Sequence, residues 1–168
     1  MTSFEATLDD AFDELEAKLG RPPNSDEEVE LRERLFQSWL ESKRFDELIE
    51  YVHDHYELEG GFGDSSIISE ALRKEGDLSR IERLFVGLLK SRKKAFARVW
   101  AQAQEGHIGA MRDSAKFAAA IMEAYAGLYH GYWSLENEAG KDRVKGEMLH
   151  FQAHRRDEPA SRSRRSDA

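Results

Sequence analysis

The sequence predicts an all-α fold of consecutive antiparallel helical hairpins, arranged as a solenoid-like array or as an irregular bundle of about seven helices. Apolar residues recur at steps of three and four along most of the chain, which is the periodicity of amphipathic helices. Helix start and stop signals separate these periodic segments. Val, Ile and Thr are scarce, whereas Ala, Leu, Glu, Lys and Arg are common, so local propensity favours helix over strand.

The first two helices are the most clearly marked. Ser3 is the predicted N-cap of the first, and Gly20 and the following prolines end it. Its apolar stripe comprises Phe4, Leu8, Phe12, Leu15 and Leu19. Ser25 with Glu28 fits a capping box, so we expect the second helix to begin there.

The middle of the chain alternates helices with glycine-containing breaks. A third helix carries inward-facing Phe45, Leu48, Ile49, Val52 and Tyr56. Residues 60–63, with three glycines, predict a flexible connector, and Gly76-Asp77 predicts a tight turn. The fifth helix either breaks near Ser91 or continues through residue 103.

The last third predicts a long sixth helix over about residues 110–138 and a short one over residues 142–154. Residues 155–168 are polar, rich in Arg and Ser and without apolar anchors, so we expect a disordered tail. The expected organisation is therefore one helical domain, residues 1–154, followed by that tail.

The turns share a spacing that suggests repeats. Lys43-Arg44, Gly76-Asp77 and Gly106-His107 each join two amphipathic helices, at intervals close to 33 residues. The segment around the second of these turns, mainly residues 67–89, resembles the inner turn of a tetratricopeptide repeat. This resemblance implies a right-handed helical array with a concave protein-binding face.

The composition limits the cellular compartment and the kind of binding partner that we expect. The chain has no Cys, which excludes disulfides and thiolate metal sites, and it has neither a signal-peptide apolar region nor a membrane-length apolar run. We therefore expect a cytoplasmic protein that does not enter a membrane. The net charge is −8, and residues 1–60 hold 18 acidic and 6 basic side chains. This charge would attract a basic partner and repel nucleic acid, or simply keep the protein soluble.

The sixth helix carries a stripe of small residues at helical spacing: Ala120, Ala124, Gly127, Gly131 and Ser134. Each glycine inside a helix costs about 1 kcal/mol relative to Ala, so something must approach closely to compensate. One interpretation is tight packing within the chain. The other is a docking groove for a partner helix, or a homodimer face, anchored by Tyr129, Tyr132 and Trp133.

Few residues suggest chemistry. No nucleophile elbow, phosphate loop or dinucleotide motif is present, so we expect neither an enzyme nor a cofactor. The pairs Glu50/His53 and Glu147/His150 have the Glu-x-x-His spacing of ferritin-like di-iron bundles. However, Glu50 and His53 lie off the apolar stripe of their helix, which favours two surface residues.

The leading functional expectation is a non-enzymatic protein–protein interaction module, such as an adaptor, chaperone or regulatory subunit. Its partner would meet the sixth helix and the acidic first helix at Asp9, Asp13 and Glu16. The alternatives are an acidic immunity-type or antitoxin-type inhibitor of a basic protein such as a nuclease toxin, and a ferritin-like carboxylate-bridged metal protein. A basic run over residues 90–98 is expected to complement the acidic N-terminal helices, within the chain or across a dimer.

Overall fold

The fold is entirely helical over the part of the chain that the computed structural model describes, residues 3–55 and 61–162, with side-chain surroundings for residues 3–55 and 63–154. The described residues contain no strand, and the all-α prediction with about seven helices is confirmed. The helices are α1 (Phe4–Leu19), α2 (Ser25–Glu41), α3 (Phe45–His55), α4 (Gly61–Glu75), α5 (Leu78–Gln104), α6 (Ile108–Ser134) and α7 (Glu138–Arg162).

Packing follows the order of the helices along the chain. The helix pairs that pack extensively are either neighbours or next-but-one neighbours, such as α3 with α5 and α4 with α6. The long helices α5, α6 and α7 form the most closely packed part, with α6 between the other two. This near-neighbour order is typical of helical arrays. The specific resemblance to tetratricopeptide repeats stays a prediction.

Four of the turns share one geometry. Lys43, Gly76, Gly106 and Glu136 adopt positive φ angles of 56°, 70°, 92° and 56°, at positions 33, 30 and 30 residues apart. After each, the next N–H donates to the carbonyl five residues earlier, at distances of 2.8–3.3 Å. This is the Schellman arrangement, which reverses the chain within a few residues. Three of the turns were predicted, whereas the fourth, at Glu136, lies inside the segment predicted as the sixth helix, residues 110–138.

The main core gathers large apolar side chains from all seven helices, including Phe4, Leu48, Leu84, Tyr125 and Val144. A second, small cluster lies between the C-terminal half of α5 and the N-terminal half of α6, and it comprises Ala95, Val99, Ala110 and Phe117. Because buried positions continue along α5 at helical spacing through Arg92 and Val99, the helix does not break near Ser91.

The start of α2 differs from its prediction by one residue. Asn24 rather than Ser25 is the N-cap, and its side chain accepts a hydrogen bond of 3.0 Å from the backbone of Glu27. Glu27 in turn accepts from the Asn24 N–H and from the Arg21 guanidinium. The bond with Arg21 and the backbone bond hold the pKa of Glu27 at about 2. The bond with Arg21 therefore helps to make Glu27, rather than the predicted Glu28, the glutamate of the capping box.

The predicted connector and the predicted tail both overlap helices of the structure. Helix α4 already begins at Gly61, so the predicted connector 60–63 enters the helix, and Gly60 and Tyr56 lie outside the described residues. Helix α7 continues to Arg162, eight residues into the segment predicted as a disordered tail. Residues 163–168 lie outside the described part.

Candidate protein-binding groove

A groove runs over α6 between α5 and α7. It consists of two cavities of about 640 and 460 Å³, which share Lys93 and Glu147. The lining residues are Val86, Leu89, Lys90 and Lys93 of α5, Tyr125 and Leu128 of α6, and Arg143, Val144, Gly146, Glu147, His150, Phe151 and His154 of α7. We call this surface the α5–α7 groove.

The floor of the α5–α7 groove is apolar and firmly packed. Tyr125, Leu128 and Val144 are buried members of the main core. The Phe151 ring meets the Tyr125 ring at 6.4 Å and the Phe96 ring at 5.7 Å between centroids. Val86, by contrast, lies at the edge with 52% of its surface exposed. An apolar side chain entering the groove would therefore meet a preformed apolar surface.

The rim of the groove is cationic. Lys90, Lys93 and Arg143 line it together with two histidines, and among the described residues Glu147 is the one acidic side chain that lines it. Lys90 and Lys93 are exposed and form no ion pair with any described residue, although the Lys93 ammonium lies 4.9 Å from the centroid of the Tyr125 ring. Arg143 pairs with Glu82 at 3.8 Å, whereas Lys90 and Lys93 have no counter-ion among the described residues. The two lysines therefore give the α5 side of the groove a positive potential that favours an acidic ligand.

One end of the groove is fixed by a hydrogen-bond network that joins three helices. The Tyr132 hydroxyl on α6 donates to Glu82 on α5 and accepts from the Arg143 guanidinium on α7, at 2.6 Å in the latter case. Burial, together with the bond to Glu82, raises the pKa of Tyr132. The network holds Arg143 at the rim of the groove.

The small-residue stripe of α6 faces α5 rather than a partner. A Cβ at Gly127 would collide with the ring of Phe85, and one at Gly131 would lie 2.6 Å from Cγ2 of Ile81. Tyr132 is only 1% exposed. This part of the predicted docking surface is thus occupied by the chain itself. The two glycines allow tight helix packing within the chain, which was the alternative interpretation of the sequence.

Trp133 remains accessible, with 58% of its surface exposed, whereas Tyr129 is half-buried against the core. The Trp133 ring stacks on His130 at 5.6 Å between centroids. Arg73 of α4 hydrogen-bonds the His130 ring, and burial and this neighbouring charge lower the pKa of His130. Of the predicted aromatic anchors, only Trp133 is presented to solvent.

The predicted acidic surface on α1 is present. Asp9, Asp13 and Glu16 are all exposed. They continue into the turn between α1 and α2, where residues 13–30 hold seven acidic and two basic side chains. We call residues 13–30 the acidic tip. Whether a partner binds there stays a prediction.

The two Glu-x-x-His pairs do not come together. The imidazole of His53 donates to the carbonyl of Leu84 at 2.9 Å and lies against α5, while Glu50 is exposed. Glu147 and His150 lie on α7, in the α5–α7 groove. Among residues 3–55 and 61–162, no three His, Asp or Glu side chains are placed to share a metal ion. The described residues therefore do not assemble the predicted carboxylate-bridged site.

The sequence drew attention to several members of the groove without revealing the groove. The basic run contained Lys90 and Lys93, and the metal hypothesis contained Glu147 and His150. The signal that was missed is that basic residues recur on two helices, at Lys90 and Lys93 of α5 and at Arg143 of α7, that flank the same long helix.

None of the helices in the described part combines the length and the apolar character needed to cross a membrane. No family model, no curated protein and no solved structure matches this chain.

Proposed function

We propose that the protein is a non-enzymatic interaction module whose α5–α7 groove binds an acidic, amphipathic helical segment of a protein partner. The observation that carries the proposal is the combination of an apolar floor with a rim of cations, of which Lys90 and Lys93 have no ion pair among the described residues. An amphipathic helix would place its apolar face on the floor and its carboxylates against the rim.

The dimensions suit a short helix. The α7 wall runs from Arg143 to His154, which at 1.5 Å per residue is about 16 Å, or roughly three helical turns. Nucleic acid fits less well, because the chain has a net charge of −8 and the groove has only three permanent cations. Aliphatic side chains at i, i+3 and i+4 would pack on Val86 and Phe151, the more accessible apolar lining residues.

The test is binding of a fluorescein-labelled helical peptide that carries Leu at i, i+3 and i+4 and Glu elsewhere, followed by anisotropy. Lys90→Glu/Lys93→Glu is expected to weaken binding at least tenfold, and raised salt is expected to weaken binding to the wild type. The matched control is Lys94→Glu/Lys145→Glu, which makes the same charge change on exposed residues of α5 and α7 that do not line the groove.

A second variant blocks the groove without changing its charge. Gly146 lines the groove, and a Cβ built there meets no atom within 4 Å, so Gly146→Trp adds bulk in open space. We expect it to abolish peptide binding, whereas Gly109→Trp, at an equally open helical position outside the groove, leaves binding unchanged. Equal affinity of wild type, Lys90→Glu/Lys93→Glu and Gly146→Trp would overturn the proposal.

A second candidate is an acidic inhibitor of a basic protein. It is favoured by the exposed carboxylates Asp9, Asp13 and Glu16, which form no ion pair with the described residues. Their joint replacement by Lys would abolish salt-sensitive binding to a basic toxin encoded beside this chain, if this role is correct. Binding that survives the replacement would contradict it.

A further inference from the structure

We infer that the acidic helical segment that occupies the α5–α7 groove is the acidic tip of a second copy of this chain. The inference rests on the proposed function, because it names the partner of the same groove. It predicts a contact between two different surfaces of identical chains, with the N-terminal hairpin of one copy on the C-terminal helices of the next.

The acidic tip has the apolar surface that such a contact needs. Along α1 the apolar stripe is buried at Phe4 and Leu8 but only half-buried at Leu15, and Leu19 is 37% exposed. On the neighbouring turn of α2, Val29 is 54% exposed. Within the described part of the chain, this end of the stripe is thus only partly covered, and Leu15 and Leu19, at i and i+4, lie among carboxylates.

The turn within the tip is held by side-chain hydrogen bonds. Arg21 makes two hydrogen bonds to the Glu27 carboxylate, at 2.9 and 2.8 Å, across the turn between α1 and α2. The capping box of Asn24 and Glu27 holds the start of α2. A preformed surface loses less conformational entropy on association than a flexible one does.

The charges of the two surfaces are complementary. The tip presents Asp13, Glu14 and Glu16 beside Leu15 and Leu19 on the last turns of α1. The groove presents Lys90, Lys93 and Arg143 around its apolar floor. With the two leucines on the floor, the carboxylates on either side of them would face the cationic rim.

The contact forms between copies rather than within one. Helix α1 packs on α2 and α3, at the end of the array opposite to α7. A tip-to-groove contact joins unlike surfaces, so it yields a closed dimer when two such contacts are reciprocal and longer head-to-tail assemblies when they are not. Either outcome makes the mass depend on concentration and salt.

The experiment is sedimentation velocity of the full chain over a hundredfold range of concentration at low and high salt. The wild type is expected to associate at low salt. Lys90→Glu/Lys93→Glu and Asp13→Lys/Glu16→Lys are each expected to weaken association at least tenfold. Glu105→Lys/Asp113→Lys, which replaces exposed carboxylates outside the tip, is the matched control and should associate as the wild type does. Circular dichroism of each variant checks that the helices are retained.

Mixing the two charge-reversed variants tests the pairing directly. Each variant then offers the other an oppositely charged surface, so the mixture is expected to associate although neither component does alone. A wild type that stays monomeric at all concentrations, or a mixture that remains monomeric, overturns the inference. If the chain is monomeric but still binds the acidic peptide in its groove, only the identity of the partner is wrong. If it neither associates nor binds the peptide, the proposed function is overturned as well.

Discussion

The imidazole ring of His53 on α3 lies directly on the backbone of Gly87 on α5. The His53 N–H donates to the carbonyl of Leu84, one turn earlier on α5, at 2.9 Å. A Cβ at position 87 would stand inside van der Waals contact with three atoms of the ring. The absence of a side chain at Gly87 therefore allows α3 and α5 to pack this closely.

Gly87→Ala is expected to lower the free energy of unfolding by about 1–3 kcal/mol, because the methyl group overpacks the contact with His53. This loss should appear although Ala has the higher helix propensity. Gly146→Ala is the matched control, since it adds the same methyl group in open space, and it should raise stability by up to about 1 kcal/mol. Urea unfolding measures both, and a stabilising Gly87→Ala would contradict the packing.

The buried guanidinium of Arg92 leads to a different prediction. Arg92 is 3% exposed and donates to the carbonyl of Ala120 at 2.6 Å, whereas its Nε has no partner among the described residues. Burial lowers its pKa, against the attraction of Glu123. Arg92→Met removes the charge but keeps much of the volume, so we expect unchanged stability or a gain of about 1–4 kcal/mol.

Arg92→Ala provides the comparison, because it removes both charge and volume and should destabilise by about 2–5 kcal/mol through the cavity left behind. Thermal and urea unfolding of the two variants separate charge from packing. Equal losses for Met and Ala would show that the guanidinium itself stabilises the fold.

The positive φ angles at the turns between helices predict opposite effects of two substitutions, one that introduces a glycine and one that removes a glycine. Lys43 adopts a left-handed conformation with φ 56°, which costs roughly 1–2 kcal/mol for a residue with a Cβ. Lys43→Gly should therefore stabilise the fold, less the small contribution of the exposed ion pair with Glu75. Gly76→Ala, at φ 70° in the corresponding turn, should destabilise it by a similar amount. Paired melting curves test the signs, and matching signs would contradict this account.

Two carboxylates that bind Arg80, one on α3 and one at the N-cap of α5, predict how stability responds to acid. Asp46 accepts from Arg80 at 2.9 and 2.7 Å, and Asp77 caps α5 through the Arg80 N–H at 3.0 Å. The bond to Arg80 lowers the pKa of Asp46, and the backbone bond lowers that of Asp77. Both groups thus stabilise the fold above their unfolded pKa, near 3.8, and this stabilisation is lost as pH falls through the folded pKa.

Asp46→Asn should accordingly lower stability at pH 7, by less than about 1 kcal/mol because the pair is partly exposed. The difference from wild type should shrink as pH falls through the lowered pKa of Asp46. Urea midpoints at pH 7 and at a pH below that pKa measure it, with Asp113→Asn, an exposed carboxylate, as the control. A difference that is constant with pH would mean that Asp46 acts through its shape rather than its charge.

Local signals explain what the sequence could predict. The ends of α1 and the turn at Gly76 depend on residues a few positions apart, so capping and glycine patterns locate them. The turn at Glu136 was missed because it lies inside the segment whose periodicity predicted a continuous sixth helix, and a residue with a Cβ does not itself favour a positive φ. The contact of the short, amphipathic α3 with α5 likewise depends on Leu84, which lies 31 positions from His53.

The α5–α7 groove lay beyond this kind of reasoning. Its two walls come from helices about fifty residues apart, and only the placement of α6 between them brings Lys93 near His150. The same long-range packing decided the role of Gly127, because the sequence could not say whether Phe85 or a partner would fill the space.

The near-neighbour order of the helices has a consequence for how the molecule comes apart. The extensive contacts of α1 are with α2 and α3. Helix α1 can therefore detach without breaking a contact among α5, α6 and α7. Opening should therefore be graded along the chain, with amide exchange fastest in α1 and slowest in the middle of α6. The acidic tip and the α5–α7 groove thus belong to parts of the chain that open independently, and either surface can fluctuate while the other keeps its shape.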